Sequence, residues 1–225
     1  HKPPPEPNGL AGYDAMKEQA RLRNALLSHS GRDIGELPAV VNPERKAAAA
    51  GSFRFFCETY FPQTFHLAWS ADHLKVIAKI EQAVVHGGLF ALAMPRGSGK
   101  TTLAECACLW ANLFGYREFV ALIGASEVHA EEMLDSIKTE LESNDLLLED
   151  FPEVVFPIRC LEGIANRCAG QLHNGERTHI VWTAKEIVLP AIAGSKASGA
   201  ITKVAGITGR IRGMKFKRAD GRAVR

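Results

Sequence analysis

Leu89-Phe90-Ala91-Leu92-Ala93-Met94-Pro95-Arg96-Gly97-Ser98-Gly99-Lys100-Thr101-Thr102 joins an apolar run to a glycine-lysine loop and the first turn of an Ala- and Leu-rich segment. The almost wholly apolar 89–94 run predicts a strand buried on both faces of a parallel sheet. Thr101 to Phe114 predicts a helix, stopped by Gly115. Between the two, Gly97 and Gly99 let the backbone curl so that successive amides face inward, and the helix start near Lys100 adds the positive end of its dipole. A loop of this kind in this setting cradles phosphate oxygens. The expected ligand is ATP or a close relative, held by Arg96, Gly97, Ser98, Gly99, Lys100, Thr101 and Thr102. Lys100 would reach the β and γ phosphates, and the Thr101 hydroxyl would ligate Mg²⁺. The common pattern opens with a glycine five residues before Gly99, where this chain has Met94. The bland alternative is a glycine turn between strand and helix that holds no ligand.

Downstream, Phe119 to Gly124 reads as a second buried strand, and Ser126 caps a helix whose apolar face carries Met133, Ile137 and Leu141. Strand, loop, helix, strand and helix in this order imply right-handed βαβ units. The expected fold is therefore α/β, a P-loop NTPase of three layers, α/β/α, with an incomplete sheet. Past Pro152 the texture is choppier, with β segments predicted at 179–183, 186–189 and 200–205. Upstream, a Pro-rich tail (1–12) precedes a helical region (13–87), with helices predicted over 13–29, 43–60 and 70–86. The predicted ATPase domain, partial, covers 88–225. Pro43 suits a first helical turn, Ser70 an N-cap, and Gly87 with Gly88 a stop.

With 225 residues, 46% hydrophobic and 23% charged, the chain has the composition of a folded domain rather than a disordered one. Its net charge of +2 leaves the partner open, because electrostatic binding depends on where cations cluster. Five cysteines, an odd number with no CxxC pair, read as reduced thiols and point to a cytoplasmic setting. Cys106 and Cys108 read as packing residues. No apolar stretch approaches the roughly 20 residues that a membrane helix needs. The chain opens with His1 and ends at Arg225 in mid-pattern, which suggests a fragment.

From about Leu89 to Gly213 the chain resembles the ATPase region of phage terminase large subunits. The resemblance rests on Met94 to Thr102, with its deviant first position and Arg96, and on Ile207-Thr208-Gly209-Arg210-Ile211-Arg212-Gly213. It implies a DNA-packaging motor that hydrolyses ATP with Mg²⁺. It also implies double-stranded viral DNA, a portal protein and a small terminase subunit as partners, a homo-oligomeric ring, and the host cytoplasm as location. Arg96 would sense or stabilise the γ phosphate, and Arg212 would act on a neighbouring subunit's nucleotide. The alternatives are a solvated loop arginine for Arg96 and a surface or phosphate-backbone contact for Arg212.

A P-loop ATPase also needs an apolar strand ending in carboxylates. Leu146-Leu147-Leu148-Glu149-Asp150 imitates one, but Asp145 and Phe151-Pro152 beside it favour a short helix end. The resemblance puts the acidic strand just past Arg225 and a metal-dependent nuclease domain beyond it, so this chain would bind nucleotide poorly and hydrolyse it hardly at all. The basic stretch from Gly209 to Arg225 suits either a DNA backbone or a solvated hairpin. Trp69 and His73 read as core packing and helix capping, or, by the resemblance, as adenine-side contacts. Two rival functions stay open. One is a small-molecule or nucleotide kinase, with Glu127 and the cluster from Arg210 as its acid and lid; the other is a terminase-like module without turnover. The motor reading depends on 89–94 being an extended strand that delivers the loop.

Overall fold

A computed structural model describes residues 14–23, 32–208, 214–217 and 223–224. The Pro-rich tail, Arg210 and Arg212 lie outside the described residues. Residues 14–23 form helix α1, on which Met16 and Leu22 are 72% and 56% exposed, so its apolar stripe faces solvent.

One helix was predicted over 43–60; the structure has two. α2 (Pro43–Gly51) starts with Asn42 accepting from the Arg45 amide and Pro43 in its first turn. Ser52 then adopts extended geometry, and its hydroxyl accepts from the Phe55 amide to cap α3 (Phe53–Tyr60). A serine competes for backbone amides and so restarts a helix more readily than it continues one. α4 (Ala71–His86) begins at Ser70 and ends at Gly87, whose φ of 83° only glycine adopts cheaply. α5 (Lys100–Leu113) follows the glycine-lysine loop. β1 (Phe119–Gly124) leads to α6 (Glu127–Ser143), capped by Ser126 as expected, with Met133, Ile137 and Leu141 buried. α7 (Asp145–Asp150) and α8 (Pro152–Arg159) come next.

The remaining strands are a short hairpin, β2 (Leu172–His173) with β3 (Glu176–Arg177), then β4 (Val181–Trp182), β5 (Glu186–Val188) and β6 (Ile201–Gly206). β7 (Phe216–Lys217) and β8 (Ala223–Val224) pair with each other. The main sheet has the order β1-β6-β5-β4. β1 runs parallel to β6, from Phe119 opposite Ile201 to Gly124 opposite Gly206. β5 is antiparallel to both β6 and β4. The fold is thus mixed α/β, with a mixed rather than an all-parallel sheet. For β4 and β5 the cause is local: the Thr183–Lys185 turn, in which Thr183 Oγ1 accepts from the Lys185 and Glu186 amides, is too tight for a crossover and allows only antiparallel pairing.

The predicted strand at Leu89 to Met94 is not formed. The run belongs to no ladder; Leu89 is 102% exposed, and Ala91, Leu92 and Ala93 are exposed as well. An apolar run becomes a strand only where a neighbour satisfies its amides and carbonyls, and among the described residues no strand pairs with it.

One core joins the helical region to the sheet. Phe53, Phe56, Tyr60, Trp110, Phe114 and Phe151 are buried together. Phe114 meets Phe151 edge-on at 5.1 Å between ring centroids. Trp110 Nε1 donates to the Ala49 carbonyl at 2.9 Å. The acidic imitation at Glu149-Asp150 is structural, as its flanks suggested. Asp150 is fully buried at the end of α7; it accepts from Arg45 Nε at 2.6 Å and from Tyr60 Oη at 2.6 Å. Burial would raise its pKa, but the Arg45 and Tyr60 hydrogen bonds outweigh burial and hold it below the usual carboxylate value. Among the described residues no helix is long and apolar enough to cross a membrane.

Candidate functional site

The glycine-lysine loop sits at the head of α5. Gly97 and Gly99 have φ of 80° and 74°, the left-handed region that side chains with a Cβ rarely enter. A Cβ built at either would meet nothing within 4 Å, so backbone conformation rather than crowding demands glycine there. Gly99 is the N-cap of α5 and offers no side-chain cap. The first amides of α5 therefore have no acceptor within the helix and stay free for an anion.

Lys100 folds back over the loop. Its Nζ donates to the Met94 carbonyl at 2.6 Å and the Pro95 carbonyl at 2.9 Å. The Pro95 carbonyl also accepts from Ser98 Oγ at 2.7 Å. An ammonium and the positive end of a helix dipole thus share one small region, which favours a polyanion. Arg96 and Thr101 are exposed beside it, and Thr102 is half-buried. Arg96 through Thr102 lie side by side as consecutive residues of the loop and the first turn of α5; Arg212 is not among the described residues.

One flank of the loop is a wall of aromatic side chains. A cavity of ≈ 270 Å³ lies between Gly97, Ser98 and Gly99 on one side and Phe65, Trp69 and His73 on the other. Phe65 and Trp69 stack at 5.0 Å with an interplanar angle of 32°. Trp69 is held from behind, its Nε1 donating to Glu58 Oε1 on α3 at 2.6 Å. His73 lies 5.8 Å from Trp69, ring to ring, and its Nε2 meets the Ser98 carbonyl at 3.0 Å. Trp69 and His73 are therefore half-buried, as packing residues would be, and also face the loop. Phe65 was missed. Its only sequence signal is an aromatic residue four before Trp69, in a segment with no regular period.

Comparison of the chain with protein-family models, curated proteins and solved structures finds no match.

The atoms of the site fit a phosphate ester with an aromatic group attached. The glycines, the free amides and Lys100 suit the phosphates, and the aromatic-lined cavity adjoins them on the side of Gly97 to Gly99. Among the described residues no three His, Cys, Asp or Glu side chains gather as metal ligands. Glu127, the acid a kinase reading would use, is ion-paired to Lys185 at 2.7 Å. On α5 below the loop, Glu105 is half-buried. Burial pushes its carboxyl up to about 7, with Glu140 adding to the rise and His129 and Ser136 opposing it. Cys106 and Cys108 on the same helix are buried in the core, and burial raises the Cys108 thiol to about 12, so neither is a poised nucleophile.

Proposed function

We propose that the loop from Arg96 to Thr102 binds a nucleoside triphosphate with Mg²⁺, ATP being the first candidate. The observation that carries this reading is the left-handed pair Gly97 and Gly99 leading into α5, with Lys100 Nζ held over the same loop. The phosphates would lie against the amides of Gly97 to Thr102, Lys100 would neutralise the terminal phosphate, and Thr101 would hold the metal. The base would lie toward Phe65 and Trp69, which line the adjoining cavity.

Beyond nucleotide binding, we propose the ATPase part of a phage terminase large subunit, acting on double-stranded viral DNA in the host cytoplasm. Its partners would be a portal protein and a small terminase subunit, within a homo-oligomeric ring. The support is the Met94 to Thr102 sequence with Arg96 exposed at the loop, where it could meet a γ phosphate. The motor reading depends on an extended strand at 89–94, and that strand is not formed. That support is gone, so the motor proposal rests on the loop and its arginine alone.

The test is titration calorimetry of the chain with Mg-ATP. Wild type is expected to bind, and Lys100→Ala to abolish binding or weaken it by about a hundredfold, since it removes a charge-assisted contact to phosphate. Equal affinity in the two proteins would sink the assignment. In a longer chain that carries the acidic strand the resemblance implies, DNA-stimulated hydrolysis, lost in Arg96→Ala with binding retained, would support the motor; phosphoryl transfer to a small acceptor would replace it with a kinase.

A further inference from the structure

His73 bridges two elements that the sequence keeps well apart. Its Nε2 lies 3.0 Å from the Ser98 carbonyl in the phosphate loop, and its Nδ1 lies 2.7 Å from Ser70 Oγ at the start of α4. A carbonyl only accepts, so Nε2 carries the proton and donates to Ser98. Nδ1 is then left to accept from the Ser70 hydroxyl. That same hydroxyl oxygen accepts from the His73 amide at 3.3 Å as the helix cap, so the imidazole is fixed at both ends of its ring. α4 in turn is anchored in the core by Ile77.

The chemistry of one peptide unit supplies the consequence. The Ser98 carbonyl and the Gly99 amide belong to the same planar trans peptide and point in opposite directions. Holding the carbonyl toward His73 therefore aims the Gly99 N–H to the far side. The loop needs such a restraint because Gly97 and Gly99 both have positive φ and wide conformational freedom. A free glycine loop must lose that entropy when a ligand orders it.

We propose that His73 is a positioning residue for the phosphate loop: through Ser98 it orients the Gly99 amide toward bound phosphate, and it has no part in recognising the base. This rests on the nucleotide reading of the loop. The trait distinguishing it from a base contact is that its effect follows the phosphates of the ligand.

The experiment measures affinity for two probes, Mg-ATP and magnesium tripolyphosphate, in wild type, His73→Ala, His73→Gln and Lys100→Ala. His73→Ala is expected to weaken both probes alike, by about three- to tenfold, the usual effect of one hydrogen bond. His73→Gln is expected to restore affinity, since its amide nitrogen falls near the place of Nε2 and also donates. If His73→Ala loses affinity for Mg-ATP but not for tripolyphosphate, His73 is a base contact and the proposal is overturned. It is also overturned if His73→Gln behaves like His73→Ala, or if the alanine variant binds as wild type does. ¹⁵N NMR of the wild-type imidazole gives a check that needs no variant to fold: a proton on Nε2 is expected at pH 8, and a bare Nε2 overturns the tether. Wild type that binds neither probe would instead bring down the nucleotide reading itself. Binding that needs Lys100 but not His73 would remove only the present proposal.

Discussion

Glu105 shows how a single side chain on the loop's own helix ties stability to pH. Its carboxyl is pushed up to about 7 chiefly by burial, against an unfolded value near 4.5. The folded state therefore binds the extra proton between those values. The stability tied to Glu105 is fully present below about pH 4.5 and is lost as pH rises through about 7. Glu105→Gln removes the ionisation and keeps a group able to meet Ser136. The variant is expected to match wild type in urea denaturation at pH 4 and to exceed it by about 1 kcal/mol at pH 8, after allowing for solvent screening of a half-exposed group. A variant no more stable at pH 8 would show that burial does not penalise this carboxylate. Glu105 carried no signal in the sequence, because a glutamate on a helix usually faces water; only the packing of α6 against α5 brings Glu140 and His129 near it.

At the scale of elements, the termini were the most legible features. Ser70, Ser126, Gly87 and Gly115 punctuate helices where capping chemistry puts them, because a cap depends on one or two residues and the adjacent amides. Gly115 has a further constraint. Its φ is 72°, and a Cβ there would come within 2.6 Å of the Lys196 carbonyl oxygen, a backbone atom that cannot swing aside. Gly115→Ala is expected to lower stability by about 2 kcal/mol, from backbone strain and displacement of the 196 segment together. The measurement is the shift in thermal midpoint, and a shift of under a degree would contradict it. The strand at 89–94 failed for the opposite reason. Strand formation depends on a partner elsewhere in the chain, and an apolar hexapeptide reads the same whether or not that partner is beside it. The antiparallel β4–β5 pair was likewise undecided by its alternating residues and settled by a turn at Thr183.

For the whole molecule, the aromatic cluster predicts cooperativity. Trp110 of α5 is fully buried against Phe53 of α3, and its indole donates to Ala49 of α2, so the helical region and the loop-bearing helix share one interior. Unfolding followed by tryptophan fluorescence and by far-ultraviolet circular dichroism is expected to give one coincident transition. Trp110→Ala is expected to cost about 3–5 kcal/mol. Two separated transitions would show that the helical region folds by itself.

The sequence by itself determined the left-handed glycine positions of the loop, Gly97 and Gly99, together with most helix boundaries and the strand at 119–124. Each of these depends on neighbours in the chain: a glycine's φ, a cap's reach, an apolar period. Tertiary structure alone decided that Phe65, Trp69 and His73 stand against that loop, that Asp150 is engaged by Arg45 instead of facing a ligand, and that the 89–94 run stays outside the sheet. These outcomes depend on which distant groups meet, and meeting is governed by how the whole interior packs.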